Sequence, residues 1–566
     1  MTGRHGTSDA TMRFRHTAPL ALDVLLENDP AEATALGDHR FDDRLADRSA
    51  AGVAAFSTEL TAAIGALDDI DDTSLELGDL VDLELLRGRL TAAQLSITTL
   101  AEHTWNPLVH LPGDALHHLL SRDTGEPEVR AAALAARCEA VADSLATARA
   151  TLGEMPRVHV ETAIGQTRGA AALLGAPVDA LLERAPELGA AVDAARSTAA
   201  AALEDHARWL EAQLPAADRS PRLRPEAYAA RLWAALDTET GPDPLLTRAE
   251  SDLMALEEQV AEVCGRLAPL LGVVAAAPDR VRAVMDAVAA SAPTSDADVL
   301  EQCTRQVGAL TELVRRHDLV TVPDDLEATT KVIEMPEVDR GVSVAYCDPP
   351  GALEPGGPHL TFFAVAPTPQ GWSAEQVASF YREYNGHMLR NLTAHEAMPG
   401  HVLQLAHSAR YVGSTPVRAA LWSGTFVEGW AAYAEKLVAD LVERTEPGDV
   451  AGMCLRLQQL KMQLRLTINA ILDVRVHTRQ MTEAEAMKLM CERGHQEAGE
   501  AAGKWRRALL TSAQLSTYYV GYAEVSSLAS DLAAARPGAA PGRVHDELLS
   551  HGSPSPRLLR GLLELP

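Results

Sequence analysis

Two imidazoles and a carboxylate fall within seven residues of the segment Leu392-Thr-Ala-His395-Glu396-Ala-Met-Pro-Gly-His401-Val-Leu-Gln404. Neutral imidazole is a good zinc ligand, and a carboxylate beside a metal-bound water is a ready general base. A His-Glu-x-x-His helix stacks its two histidines at i and i+4, on one face. Here the second histidine stands at i+6, and Pro399 occupies i+4. On a regular helix of about 3.6 residues per turn, i and i+6 lie roughly 120° apart and cannot share one metal. Either this is not a metal site, or the helix is deformed at Pro399-Gly400. Proline removes a backbone bond to residue i−4, and glycine tolerates unusual dihedrals. A π-type bulge of two residues at that point would return His401 toward a shared metal.

A site with two histidines needs a third protein ligand and keeps one position for water. Glu428, 27 residues after His401 in Phe426-Val-Glu428-Gly-Trp430-Ala-Ala-Tyr433-Ala-Glu435, is placed to supply it. Glu435 follows at i+7 on the same helical face, either supporting a ligand histidine or simply solvated. In Ile471-Leu-Asp473-Val-Arg475-Val-His477, either His477 or Arg475 could meet a substrate carboxylate or a developing oxyanion. The plainer reading of that run is a charged helix face. Lys504-Trp505-Arg506-Arg507 precedes Gln514-Leu-Ser-Thr-Tyr518-Tyr519-Val-Gly521. A phenol of Tyr518 or Tyr519 can donate to a tetrahedral oxyanion without adding charge, or either ring can be a packed anchor between helices. Arg475, Arg506 or Arg507 could bind a substrate carboxylate bidentately, with Gln514 nearby. A Gly-rich phosphate loop and a Gly-x-Ser-x-Gly elbow are both lacking.

The elements that must position these groups are mostly helical. From about residue 17 to 330 apolar residues recur at steps of three and four, as in Leu83, Leu86, Leu90, Ala93, Ile97 and Leu100. Ala-rich stretches at 130–155, 187–213 and 280–291 read the same way. The pattern changes at 332–371, where seven prolines fall between Pro336 and Pro369. Val342–Tyr346 and His359–Val365 read as strands, separated by turn signals, so a β-hairpin or small sheet should stand just before the histidine segment. Helix returns from Ala374. The expected architecture is mainly α, one large multi-helix fold with a deep cleft. It comprises a disordered leader at 1–16, an N-terminal helical part at 17–331 and a metal-binding part at 332–566.

Composition narrows the partners. The chain has 566 residues, 47% hydrophobic and 4% aromatic, with a formal net charge of −29. Such a charge repels nucleic acid and anionic membranes. The six cysteines, Cys138, Cys264, Cys303, Cys347, Cys454 and Cys491, have no Cys-x-x-Cys spacing and read as the reduced thiols of a cytoplasmic protein. A run of about 18 uninterrupted apolar residues, as a membrane span needs, is not evident.

Together these motifs resemble the bacterial domain of unknown function 885 family, over nearly the whole chain. The resemblance rests on Asp29-Pro30-Ala31 and Ala33-Thr-Ala-Leu-Gly37-Asp-His-Arg-Phe-Asp42 near the start, and on Met335-Pro336-Glu337 with Arg340-Gly341 in the middle. The core motif His395-Glu396-Ala-Met-Pro399-Gly400-His401-Val-Leu-Gln404 follows, then Glu428-Gly429-Trp430, Asp473…His477, Gln514…Gly521 and His545…Gly552. Members are similar to helical, deep-cleft zinc metallopeptidases akin to thermostable carboxypeptidases, neurolysin-like oligopeptidases and angiotensin-converting enzyme. The resemblance implies one zinc held by His395, His401 and Glu428, with Glu396 as base and the i+6 spacing a family trait. Arg475 stands where members often carry Gly, and Val402 where another His is common. The expected function is a zinc-dependent carboxypeptidase or dipeptidase acting on small peptides or peptide-like amides, with His477, Tyr518 or Tyr519 at the oxyanion. The alternatives are a tailoring enzyme for a small non-peptide metabolite and a non-catalytic helical binding protein. No nucleic-acid or membrane partner is expected; oligomeric state, homodimer included, stays open.

Overall fold

The computed structural model describes residues 8–335, 344–357 and 359–566. Its chain divides into two compact units: Met1–Arg222 with Pro350–Gly357 and Gly413–Leu421, and Leu223–Pro349 with Pro358–Val412 and Trp422–Pro566. The division falls at 222/223 rather than at the expected 331/332, because the helices just after 222 pack into the core of the second unit.

In the first unit, part of the expected leader is helix. Residues 1–7 lie outside the described residues, but Ser8 caps α1 (Asp9–Asn28), its hydroxyl accepting from the Thr11 N–H at 3.0 Å. Phe14, Ala18 and Leu22 form a buried stripe that the flanking Arg13 and Arg15 disguise in the sequence. The unit continues through α2 (Pro30–Leu36), α3 (Ala50–Asp68), α4 (Leu77–Leu95), α5 (Gly113–Ser121), α6 (Pro127–Thr151), α7 (Arg157–Leu173), α8 (Ala176–Leu182) and α9 (Gly189–Gln213). Leu83, Leu86 and Leu90 are buried on α4, as their spacing predicts. By length and composition α3 is apolar enough to cross a membrane, with mean hydropathy 1.4. Its alanines raise the average, while Ser57, Thr58, Glu59 and Thr61 break any continuous apolar run.

The second unit opens with α10 (Pro225–Leu236), α11 (Pro242–Leu270), α12 (Ala277–Ser291), α13 (Val299–Arg316) and α14 (Leu326–Thr329). A three-stranded sheet follows, in the order β1 (Thr330–Glu334), β3 (Thr361–Val365), β2 (Ala345–Asp348). β2 and β3 are the expected hairpin pair, antiparallel with Ala345 opposite Val365. Residues 342–343 of the expected first strand lie outside the described residues. β1, a strand not expected from the sequence, joins β3 in parallel.

Helix then runs through α15 (Ala374–Glu383), α16 (Gly386–Glu396) and α17 (His401–Ser408), while α18 (Val417–Ala420) belongs to the first unit. α19 (Gly424–Thr445), α20 (Val450–Thr478), α21 (Glu483–Lys488), α22 (Ala498–Leu510), α23 (Ser516–Ala535), α24 (Pro541–Leu549) and α25 (Pro556–Leu562) complete the second unit. α20 is its central rod. Leu457, Leu460, Leu464, Ile468 and Ile471 share a core with Leu253, Leu256, Val260 and Cys264 of α11. Its other faces carry buried polar side chains, among them Gln459, Lys461, Arg465, Asp473 and His477. All six cysteines are free thiols.

Candidate metal centre

The histidine segment is broken rather than bulged. Asn385 caps α16 by accepting from the N–H groups of His387 and Met388, and the helix ends at Glu396. Ala397 and Met398 both donate to the Thr393 carbonyl, at 2.9 and 3.0 Å, which closes the last turn. Residues 397–400 then leave the helical path, and His401 opens α17. The expected π-type bulge is therefore replaced by an interruption between two helices. Proline cannot donate at the point where the helix would need it, so the chain stops and restarts. Gly400 is required there by close approach: a Cβ would stand 1.7 Å from the His395 carbonyl oxygen. The indole N–H of Trp430 fastens the break by donating to the Pro399 carbonyl at 2.9 Å. Tyr433 and Trp430 pack in turn on His545, whose Nδ1 donates to the Leu319 carbonyl.

The interruption corrects the phase. The rings of His395 and His401 lie 4.9 Å apart and nearly perpendicular. Glu428 Oε2, from the first turns of α19, is 3.4 Å from His395 Nε2 and 3.7 Å from His401 Nε2. One ligand atom from each of the three residues lies within 4.8 Å of the others. Donors about 2.1 Å from a tetrahedral centre stand about 3.4 Å apart, so this spacing fits a small divalent ion. Two imidazole nitrogens and a carboxylate oxygen also match zinc chemically. Glu428 Oε2 is buried without a hydrogen-bond donor, and a cation would satisfy it.

The surroundings orient His395. Glu435 is 2% exposed, not solvated, and its Oε1 accepts from His395 Nδ1 at 2.8 Å. Asn391 donates to the other oxygen of Glu435. Glu396 turns its carboxylate toward β2, where Oε2 accepts the Cys347 N–H at 3.1 Å. Burial raises Glu396 above the usual carboxylate range, and the nearby imidazoles oppose the rise. Burial also works against the charge of Glu428, but the facing imidazoles of His395 and His401 outweigh it and hold that carboxylate well below its usual range.

α19 and α23 meet backbone to backbone. A Cβ on Gly429 would come within 2.4 Å of the Gly521 backbone, and one on Gly521 within 2.2 Å of the Thr425 carbonyl. Only glycine permits this approach. It sets Glu428, next to Gly429, alongside Tyr518, one turn before Gly521. Arg507 on α22 donates from Nη2 to the Tyr518 phenol at 3.1 Å and from Nε to Gln514 Oε1 at 3.0 Å. Burial pushes the Tyr518 phenol up to about 12, and the charges of Glu428 and Glu396 add to the shift, so it stays a proton donor at neutral pH.

Of the other residues marked by the sequence, several stand elsewhere. The Tyr519 phenol donates to Asp252 at 2.6 Å. Adjacent helical residues point about 100° apart, so two neighbouring tyrosines cannot both face one site. His477 is structural: Nδ1 accepts the Leu223 N–H at 3.1 Å, Nε2 donates to the Thr511 carbonyl at 3.0 Å, and the ring stacks on Tyr228. Asp473 caps the start of α23, accepting from Ala513 N, Ser516 N and the Ser516 hydroxyl. Arg475 is an ion-pair partner of Glu250. Arg506 is half-buried, and Arg507 alone of the two makes the bonds to Gln514 and Tyr518. Val402 is buried within α17. The sequence alone assigns no role to the Cys347 N–H, Asn391 or Trp430. A backbone donor leaves no sequence signal, whereas Trp430 beside Glu428 could have been marked as a buried indole needing an acceptor.

A helical unit carrying a two-histidine, one-glutamate cluster across a broken helix belongs with the motifs noted in the sequence. The chain is a member of the family described as bacterial protein of unknown function (DUF885), whose model matches residues 30–563. No curated protein matches it. Among solved structures, one from Shewanella oneidensis has a TM-score of 0.82 at 26% identity, covering 97% of this chain and 99% of that one. Another, from Colwellia psychrerythraea, has a TM-score of 0.78 at 14% identity, covering 98% of each, and shows the shared fold. Both are described as a "putative lipoprotein", the first also as of unknown function.

Proposed function

We propose that this chain is a zinc-dependent hydrolase of peptide or peptide-like amide bonds in small substrates. The observation that carries the reading is the convergence of His395, His401 and Glu428, with ligand atoms within 4.8 Å of one another despite the six-residue step. Bound there, zinc would supply a Lewis acid and a water acidified to near neutrality. His395, His401 and Glu428 would hold it, and Glu435 and Asn391 keep His395 turned with Nε2 forward. Glu396, next in sequence to His395 and anchored by the Cys347 N–H, takes the proton of the attacking water and passes it to the leaving amine. Its raised affinity for protons suits both transfers. Tyr518 donates to the oxygen on which negative charge develops. Arg507 donates to the phenol oxygen, so the phenol proton is not spent on Arg507.

The test is elemental analysis with an amide-hydrolysis assay. One zinc per chain is expected, and Glu396→Gln should keep the zinc while losing at least about 10²-fold in hydrolysis. Full rate in zinc-loaded Glu396→Gln would end the proposal. For location, the two relatives' description as lipoproteins favours export with a membrane anchor, whereas the unpaired thiols favour the cytoplasm. Fractionation of the native cell separates the two.

A further inference from the structure

The side chains around Arg507 carry an excess of positive charge that the rest of this acidic chain does not prepare one to expect. On α20, Lys461 and Arg465 pair with Glu383 at 2.8 and 3.3 Å, and Arg465 also pairs with Glu500 of α22. One and two turns beyond Glu500 on the same helix stand Lys504 and Arg507. Neither has a carboxylate within ion-pairing distance among the described residues. Both partners of Arg507, Gln514 Oε1 and the Tyr518 phenol, are neutral. The cluster thus sets four cations against two carboxylates in a chain of net charge −29. Burial, helped by the charges of Arg465 and Arg507, drags the Lys504 ammonium down to about 7 even though Glu500 opposes the shift. Lys504 and Arg507 are half-buried, and cations withdrawn from water without a paired carboxylate are costly and persist where something else provides the charge.

The chemistry of that counter-charge follows from the donors. A guanidinium pairs with a carboxylate in a planar fork, and Arg507 spends only one bond on each neutral partner. Gln514 gives its carbonyl to Arg507, which leaves its amide N–H groups as further donors. Tyr518 touches Arg507 directly and lies beside Glu428, so the position is one side chain away from the candidate metal centre. Consecutive Cα atoms are about 3.8 Å apart, so a residue just after a scissile bond could present its carboxylate here.

We propose that Arg507, backed by Lys504 and flanked by Gln514, is an anion subsite that selects substrates bearing a free carboxylate close to the hydrolysed bond. The proposal rests on the hydrolase reading for the identity of the ligand, though not for the existence of the subsite. A C-terminal carboxylate and an acidic side chain share the necessary chemistry.

Binding to the full chain carrying Glu396→Gln, which suppresses turnover, tests it by calorimetry. The probes are an N-acetyl dipeptide as free acid, the same peptide as C-terminal amide, and an amidated peptide with a glutamate side chain. The free acid should bind about 10- to 100-fold more tightly than its amide. Adding Arg507→Met should bring the two to parity, and Lys504→Met should narrow the gap. Tight binding of the amidated glutamate peptide instead would assign the subsite to a side-chain carboxylate. Equal affinity for acid and amide, or a preference that survives Arg507→Met with an unchanged circular dichroism spectrum, overturns the proposal. If Arg507→Met does not fold, the acid-to-amide comparison in the parent chain decides alone. Repeating the titration on His395→Ala separates the two readings: a carboxylate preference without zinc in any form of the protein sinks the hydrolase and keeps the subsite.

Discussion

His395 Nδ1 lies 2.8 Å from Glu435 Oε1, and that contact determines which nitrogen of the imidazole faces Glu428. With the proton on Nδ1, the lone pair of Nε2 is directed at the point the three ligand atoms share. Glu435→Ala should therefore weaken zinc binding by about 10- to 100-fold without removing a ligand. Competition against a chelator of known affinity measures it, and an unchanged constant would show that the ring is oriented by packing alone.

Gly400 is a steric prediction. A methyl at this position would stand 1.7 Å from the His395 carbonyl oxygen, with the Ala394 carbonyl at 2.4 Å. Backbone atoms cannot yield as a flexible side chain does. Gly400→Ala should cost about 3 kcal/mol of stability or more, and zinc should be lost with it. Urea unfolding and elemental analysis report the two separately. Wild-type stability would mean that the chain between Glu396 and His401 has other routes open to it.

The two adjacent tyrosines should behave oppositely. Tyr518→Phe removes the phenol that lies beside Glu428 and should lower kcat by about 10²-fold with zinc retained. Tyr519→Phe removes a bond to Asp252 and should leave kcat close to wild type. A reversed pattern would move the oxyanion donor to the other face of α23.

A pH effect is expected within the first unit. Hydrogen bonding to Asp42, and then to Glu354, lifts His39 to about 9 against the opposing cost of burial. An unfolded histidine titrates near 6.5. Since the folded value is the higher, the stabilisation is complete below about 6.5 and is lost as pH rises through about 9. With His39 partly exposed, its worth is about 1 to 2 kcal/mol. Denaturant melts at pH 6.5 and 9.5 should show wild type losing that much more than His39→Gln over the interval. Parallel losses would remove His39 as the cause.

Much of this was legible because the informative residues are local. Two histidines six residues apart, a glutamate seven residues after Glu428 and a proline followed by glycine all constrain one another without any tertiary knowledge. Phase arithmetic showed that His401 needed a repair, but it cannot distinguish a bulge from a break. That choice depends on Trp430 and the Gly400 backbone, which meet the segment from other parts of the chain. The same limit applies to Asp473 and His477. A polar residue in a buried helix looks identical in sequence whether it caps a neighbouring helix, as Asp473 does, or faces a substrate. Arg475 is drawn to Glu250, more than two hundred residues away in the chain, whereas Arg507 bonds Gln514 and Tyr518. The same limit holds at the start of α1, where charged residues beside Phe14 hide a face that only packing reveals.

Gly429 and Gly521 have a wider implication. Most active-site spacings are set by side chains, which swell, rotate and repack as a protein diverges. Here the gap between Glu428 and Tyr518 is gauged by two main chains in direct abutment, a joint with almost no play. For this pair of side chains, intolerance of change falls on two positions that have no side chain at all.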